Sequence, residues 1–294
     1  MNRSNKTVIG SFLAPAVVLL LVFMILPFVM AFVLSFTNSR LIPGPRGTQY
    51  IGMTNYEKLI EDNMFWRGLR HNFYFVIVVV PIQTALALLL AILVNQQIKL
   101  NKFFRTFYFI PTVTAMVAVA VVWSFLYHPD GLINAFLSFI TAGAWGGVDF
   151  LNNSRWAFPA IMAMSIWQGV GFQMLIFLAG LQEIPQAFYE AADIDGANSW
   201  QKFRHITLPQ LKNTTTFVLI STTILAFRLF TQILVMTNGG PQGSTYTVML
   251  HIYNMAYKRL NIGYGSALTV VFFVIILTIS LIQRFLLGEQ REVA

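Results

Sequence analysis

The sequence contains no cysteine and very little charge. The first absence excludes disulfides, thiolate metal sites and cysteine nucleophiles. The second is more telling. Charged residues make up 10% of the 294 residues, where a soluble domain carries about 25%. The few charges are clustered. None occurs between Lys6 and Arg40, Arg70 and Lys99, Arg105 and Asp130, Arg155 and Glu183, or Arg259 and Arg284, and each gap holds at least 23 residues. A helix of about 20 apolar residues crosses a bilayer. A soluble helix would interrupt such runs with a polar stripe at helical spacing, and these show none, which excludes a soluble globular fold. Signatures of chemistry are missing too: there is no G-x-x-x-x-G-K-[ST] loop, no H-E-x-x-H and no G-x-S-x-G. The four histidines, His71, His128, His205 and His251, are scattered rather than grouped as metal ligands would be. No cofactor or metal is expected on this chain.

What is present is hydrophobic: 56% of residues, with 27 phenylalanines, and a formal net charge of +8. The basic residues flank the apolar runs. They therefore read as topology signals and contacts to anionic lipid headgroups, not as a nucleic-acid surface. Arg3 and Lys6 precede an apolar stretch, Thr7 to Ser39, that exceeds the about 7–15 residues of a signal-peptide core, so it reads as an uncleaved first span. The pattern predicts a single all-α membrane domain over residues 1–294 with six spans, at about 8–36, 72–95, 106–127, 156–181, 215–237 and 265–284. The turn-forming run Asn238 to Gly243 ends the fifth span, and Ser244 to Tyr257 is too short and polar to cross. Six spans put both termini on one side. With that side cytoplasmic, ten Lys and Arg residues lie inside and eight outside, the direction of the positive-inside rule. The charge-free run Gly131 to Val148 is expected outside, interfacial or partly re-entrant.

The longest inside connection, 182–213, differs in character. It holds Glu183, Glu190, Asp193 and Asp195, four of the eleven acidic residues. Pro185 suits a helix start, Asp195-Gly196 a turn, and Asn198 or Ser199 the cap of a second helix that stops at Pro209. On these grounds alone it is either a projecting helical hairpin or an ordinary amphipathic connector.

Within it, Glu190-Ala191-Ala192, three residues, Gly196, nine residues, then Ile206-Thr207-Leu208-Pro209 is similar to the EAA signature of permease subunits in binding-protein-dependent ABC importers. Met236 to Pro241 and Gly263 to Ala267 resemble the carbohydrate branch of that family, of the maltose and glycerol-phosphate type. The resemblance implies a type I importer permease fold in the bacterial inner membrane. It also implies a second permease subunit, usually a different chain, two ATP-binding subunits that hold ATP and Mg, and a periplasmic solute-binding protein that delivers a sugar-like solute. Glu190, Ala191, Ala192, Asp195, Gly196, Ile206, Leu208 and Pro209 would then couple this non-catalytic subunit to its ATPase.

Candidates for the solute pathway follow from cost. Arg228 is the only charge in the interior of a predicted span, Arg284 standing at the end of the sixth, and such a residue faces a cavity or the bundle interior. It is either a donor to substrate or a structural or gating arginine. Phe227 and Gln232 beside it offer the ring and amide that sugars favour. In the fourth span, Trp167-Gln168-Gly169-Val170-Gly171-Phe172-Gln173 sets two amides mid-membrane that need partners, with glycines that also suit close helix packing. Trp167, Gln168 and Phe172, and Thr112 beside Pro111, complete the set. A secondary transporter would show intramembrane carboxylates, and none is present. Glycerol phosphate is the alternative solute, through Arg228.

Overall fold

The computed structural model describes residues 3–42, 44–45, 47–96 and 101–287, with side chains from Phe12 onward and, after the second gap, from Lys102. Lys99 and Arg291, counted above among the inside charges, and Arg46, counted outside, lie outside the described residues. Among the described residues the only extended pairing is one bridge between Thr37 and Tyr50. The rest is helix and connecting turn. In chain order the α-helices are α1 (Arg3–Leu20), α2 (Leu26–Leu34), α3 (Thr54–Ile60), α4 (Asn63–Asn95), α5 (Asn101–Val113), α6 (Met116–Leu126), α7 (Leu132–Ile140), α8 (Ala157–Glu183), α9 (Gln186–Ile194), α10 (Ser199–Lys202), α11 (Leu208–Gln210), α12 (Lys212–Phe227), α13 (Thr231–Met236), α14 (Val248–Tyr253) and α15 (Ile262–Leu287). Five stretches are long and apolar enough to cross a membrane, and the bent pair α5 and α6 makes a sixth. The all-α, membrane-spanning reading is correct.

Two expected spans are not straight helices. The third bends by 98° between Val113 and Met116. Pro111 cannot donate to the helix ladder and crowds the preceding turn, and Ala115 then takes an extended conformation. The fifth breaks at Arg228 to Phe230, between α12 and α13. No proline or glycine lies there. Instead, buried side chains satisfy the freed carbonyls: Asn72 Nδ2 donates to Phe227 O at 2.9 Å and Thr247 Oγ1 to Leu229 O at 3.2 Å. Asn72 Oδ1 also accepts from Val248 N at 3.0 Å.

The chain forms two compact units, Met1–Phe65 with His251–Ile275, and Trp66–Leu250 with Ile276–Ala294. In the first, α1 and α2 are joined through a π-helical turn at Leu21–Ile25, and the span they form is exposed along its length, as a lipid-facing helix should be. Asp62 is the hub of this unit. Its Oδ1 caps α4 by accepting from Met64 N and Phe65 N. Its Oδ2 accepts from His251 Nε2 at 2.8 Å and Tyr264 Oη at 2.5 Å. Burial raises the Asp62 carboxyl, but the Tyr264 and His251 bonds outweigh it and hold it below the ordinary value; burial lowers His251, against the pull of Asp62. A neutral imidazole donating to a carboxylate follows. Gly263 packs where a Cβ would overlap the Thr37 carbonyl, and Gly265 lies against Ala256, which explains the small residues of the Gly263 to Ala267 stretch.

In the second unit α8 is the central helix. Val170, Met174, Phe177, Leu178 and Leu181 pack with Ala87, Ala91 and Val94 of α4 and with Val218 of α12. A second cluster gathers Val119, Tyr127, Phe150, Ala160 and Met164. Gly171 lies against the Tyr108 backbone and Gly180 against Thr214, the close approach that small residues permit between membrane helices.

If Asn72 is what makes the break in the fifth span tolerable, Asn72→Leu lowers stability by about 1–3 kcal/mol for each backbone group left unpaired. Thermal unfolding of the detergent-solubilised protein reads this, and an unchanged melting temperature would show that the break is satisfied by other means.

Candidate functional site: a polar cavity and a capped hairpin

Both helix breaks border the same cavity. It has a volume of about 460 Å³, and its lining includes Thr112 and Met116 from either side of the first break and Arg228, Leu229 and Thr231 from the second. α4 contributes Gln83, α8 contributes Ser165, Gln168, Phe172 and Gln173, and α12 contributes Ser221 and Thr222. The polar part of the wall is thus amides and hydroxyls, with one cation and no carboxylate, set in apolar surface that includes Phe75, Val79, Leu225 and Leu229. Thr112 Oγ1 donates to Gln168 O at 2.9 Å, and Gln168 Nε2 reaches back to Pro111 O at 3.4 Å. The second bond serves the last turn of α5, whose terminal carbonyls lack helical partners, and the first ties Thr112 to the backbone of α8. Gln173 Nε2 donates to Thr222 Oγ1 at 2.5 Å. Gln173 Oε1 is buried and has no hydrogen-bond partner among the described residues. Gln232 Nε2 lies 3.4 Å from Ser165 Oγ.

Five of the seven residues expected in the pathway line this cavity: Thr112, Gln168, Phe172, Arg228 and Gln232. The other two do not. Phe227 is fully buried, edge-on to Phe73, because the helix turns it into the core while Arg228 is exposed. Trp167 lies on the opposite face of α8, with its ring 5.3 Å from that of Trp123, in a separate apolar cleft of about 580 Å³ between α4, α5, α6 and α8. Gln83, Ser165, Ser221 and Thr222 escaped the sequence reading. Gln83 had a signal, being the one amide in the apolar run between Asn72 and Asn95. The hydroxyls had none, since serine and threonine in a membrane helix commonly bond their own backbone, as Ser165 and Ser221 do here.

The second feature is the hairpin over 182–213. α9 starts after Pro185, one position later than expected, with Pro185 as its cap residue. Its end is a Schellman motif: Ala197 N bonds Ala192 O at 2.9 Å, Gly196 N bonds Asp193 O at 3.1 Å, and Gly196 adopts φ +74°, the left-handed conformation that glycine adopts without strain. Asn198 then opens α10 with a capping box to Gln201. The carboxylates of Glu190 and Asp195 are exposed and cap neither helix. The second helical stretch does not stop at Pro209. A π-helical turn, Phe203–Thr207, widens the ladder ahead of it, and helix continues through Gln210. An ion pair between Lys202 and Asp193 and a 2.9 Å bond between Tyr189 Oη and Thr207 Oγ1 tie the two arms together. Outward, Ile194 (88% exposed), Trp200 (66%), Phe188 and Leu208 present apolar surface. Ala191 and Gly196 are exposed beside them, while Ala192 and Ile206 are half-buried.

Comparison with known proteins agrees with this architecture. The model of the family described as "Binding-protein-dependent transport system inner membrane component" matches residues 66–290. A probable ABC transporter permease of Pyrococcus horikoshii is 34% identical over 95% of this chain and 96% of its own length. The lactose transport system permease protein LacF of Rhizobium radiobacter is 32% identical, covering 95% and 94%. Among solved structures, a bacterial ABC transporter involved in the import of the acidic polysaccharide alginate superposes with a TM-score of 0.85 at 22% identity, covering 98% of both chains.

The glycines facing these elements differ in what they tolerate. A Cβ at Gly171 would overlap the Tyr108 carbonyl, which is backbone and cannot move alone, whereas one at Gly169 would displace only the Gln83 side chain. Gly171→Ala is therefore expected to cost about 1–3 kcal/mol of stability and Gly169→Ala far less, as read by thermal unfolding of the two purified variants.

Proposed function

The chain belongs to the family of inner membrane components of binding-protein-dependent transport systems, and on that premise we propose that it forms half of the translocation path of an ABC importer for a neutral, polyhydroxylated solute of the di- or oligosaccharide, sugar-osmolyte or polyol class. The observation that carries the substrate class is the wall of the cavity where the two broken helices meet. Amide and hydroxyl groups supply paired donors and acceptors to sugar hydroxyls, Phe172 offers a ring face, and no carboxylate is present to bind a cation. The volume of about 460 Å³ lies within the range of about 300–1,000 Å³ typical of small-molecule sites. The lactose permease among its relatives supports the same class. Arg228 favours a second reading, an anionic solute such as glycerol phosphate, because it is the only charge in the wall.

In this reading the chain itself performs no chemistry. A second permease subunit, a different chain, completes the path, and two ATP-binding subunits supply hydrolysis. A solute-binding protein loads the path from outside, and both termini of this chain face the cytoplasm. The hairpin is the coupling element. Its exposed Ile194, Trp200, Ala191 and Gly196 form a small-residue and apolar surface for a cleft in an ATP-binding subunit. The Schellman motif, the capping box and the Lys202–Asp193 pair make it stiff enough to transmit force. Nucleotide state and solute affinity are then coupled reciprocally.

ATP-dependent uptake into proteoliposomes holding the full complex tests both parts. Gly196→Asp, which places a side chain on a left-handed residue in the docking surface, is expected to reduce uptake at least about tenfold, equivalent to about 1.4 kcal/mol of coupling, with assembly intact; unchanged uptake would remove the hairpin from coupling. Arg228→Ala is expected to slow uptake of the carried sugar about tenfold if the cavity is the path. Loss confined to glycerol phosphate would favour the anionic reading instead.

A further inference from the structure

The segment between the bent third span and the fourth is built inside out. α7 has nine residues, about 13 Å at 1.5 Å per residue, and is too short to cross a bilayer. Its polar side chains, Asn134 and Ser138, lie on the side that packs against the protein. Asn134 is buried and fully used: Nδ2 donates to His128 O and Val148 O, and Oδ1 accepts from Trp145 Nε1 and Val148 N, all at 2.8–2.9 Å. Three of these bonds fold the stretch that follows α7 back beneath it, and the fourth ties α7 to the turn before it. Ile133 and Leu137 join the cluster around Tyr127 and Phe150. The face left open consists of Leu132, Ala135, Phe136, Phe139 and Ile140, all exposed, Phe139 to 82%, and it carries no polar group. A helix lying against water shows the reverse partition.

Three observations identify what covers this face. First, α6, which α7 contacts, also exposes Val117, Val121, Val122 and Phe125, and α6 is half of a membrane-spanning pair. Second, no charge lies between Gly131 and Val148, which matches a hydrocarbon or interfacial surrounding and no charged partner. Third, ionisable groups bracket the segment: His128 and Asp130, just before α7, have side chains 63% and 93% exposed, Asp149 follows the neutral run, and charges left open in this way are costly at hydrocarbon depth. An uncharged helix with exposed ionisable groups at its start, joined to a spanning helix, has the geometry of an in-plane anchor. We propose that α7 lies parallel to the bilayer in the membrane–water interface, with Leu132, Phe136 and Phe139 inserted among the lipid chains, and that it fixes the outer end of the bent third span against the lipid surface. Such helices bury their apolar face about 5–10 Å into the headgroup and acyl boundary. Held there, α7 gives the α6 arm of the bend a fixed point from which the break between Val113 and Met116 can flex.

The natural absence of cysteine makes the test direct. Phe139→Cys, Phe136→Cys and, as a control, Asp130→Cys are each introduced singly into the full chain and labelled with an environment-sensitive fluorophore. The assembled complex is reconstituted in phosphatidylcholine vesicles brominated either near the top or near the end of the acyl chain. The labels at 139 and 136 are expected to be quenched several-fold more by shallow bromines than by aqueous iodide, and the label at 130 the reverse. Quenching by iodide at 139 equal to that at 130 would overturn the proposal by placing the face in water. Strongest quenching by the deep bromines would overturn it in favour of a re-entrant segment, and protection from every quencher would show that a protein subunit covers the face. If one of the two phenylalanine variants fails to assemble, the other reads the same face.

Discussion

A backbone amide or carbonyl inside a bilayer has no water to bond, and leaving it unpaired costs several kcal/mol. Everything distinctive in this chain is organised around the two places where that constraint is met by something other than a helix. At the bend between α5 and α6, Thr112 and Gln168 exchange bonds across the helix pair. At the break between α12 and α13, Asn72 and Thr247 serve the freed carbonyls. Irregular backbone at membrane depth is tolerated only where it is packed in protein or lines a wet cavity, and here both breaks line the same one. The cavity is a consequence of interrupted helices, and the interruptions persist because distant side chains support them.

The breaks also divide long spans into short levers. α6 and α13 are 11 and 6 residues long, each hinged beside the cavity. At the other end of α8, a hairpin leads away through α9, capped at its turn by a left-handed glycine and an asparagine capping box. The hairpin is joined to α8, whose middle forms the cavity wall, so one helix connects the hairpin's exposed apolar surface with the cavity. In the importer reading, energy released at the ATP-binding subunits needs such a connection, and the reciprocity of linkage requires that the solute acts back along it.

Charge-free runs and basic flanks made the spans legible, because bilayer thickness acts on composition and needs no tertiary knowledge. The hairpin was legible for a different reason: Pro185, Gly196 and Asn198 each act within one turn of themselves. What was hidden depends on residues far apart in sequence. The fifth span breaks without proline or glycine, because Asn72 and Thr247, 155 and 18 residues from the carbonyls they serve, make the break affordable. The side of a helix that faces a cavity is equally hidden in a span that is apolar all round: Trp167 and Gln168 are neighbours in sequence but line different cavities, and Phe227 points into the core beside an exposed Arg228. In the third span Pro111, a residue type that commonly marks sharp kinks, lies just before the 98° bend.

That divergence of neighbours offers the most direct test of the account. In the naturally cysteine-free chain, Gln168→Cys and Trp167→Cys are compared, in the assembled complex, for reaction with a small hydrophilic thiol reagent, with and without ATP and the loaded binding protein. If the cavity at the two helix breaks is the translocation path, Cys at 168 reacts and its rate changes with nucleotide state, while Cys at 167, in the apolar cleft, stays unreactive throughout. Sealing of position 168 in every state, or equal reactivity at the two positions, would contradict it.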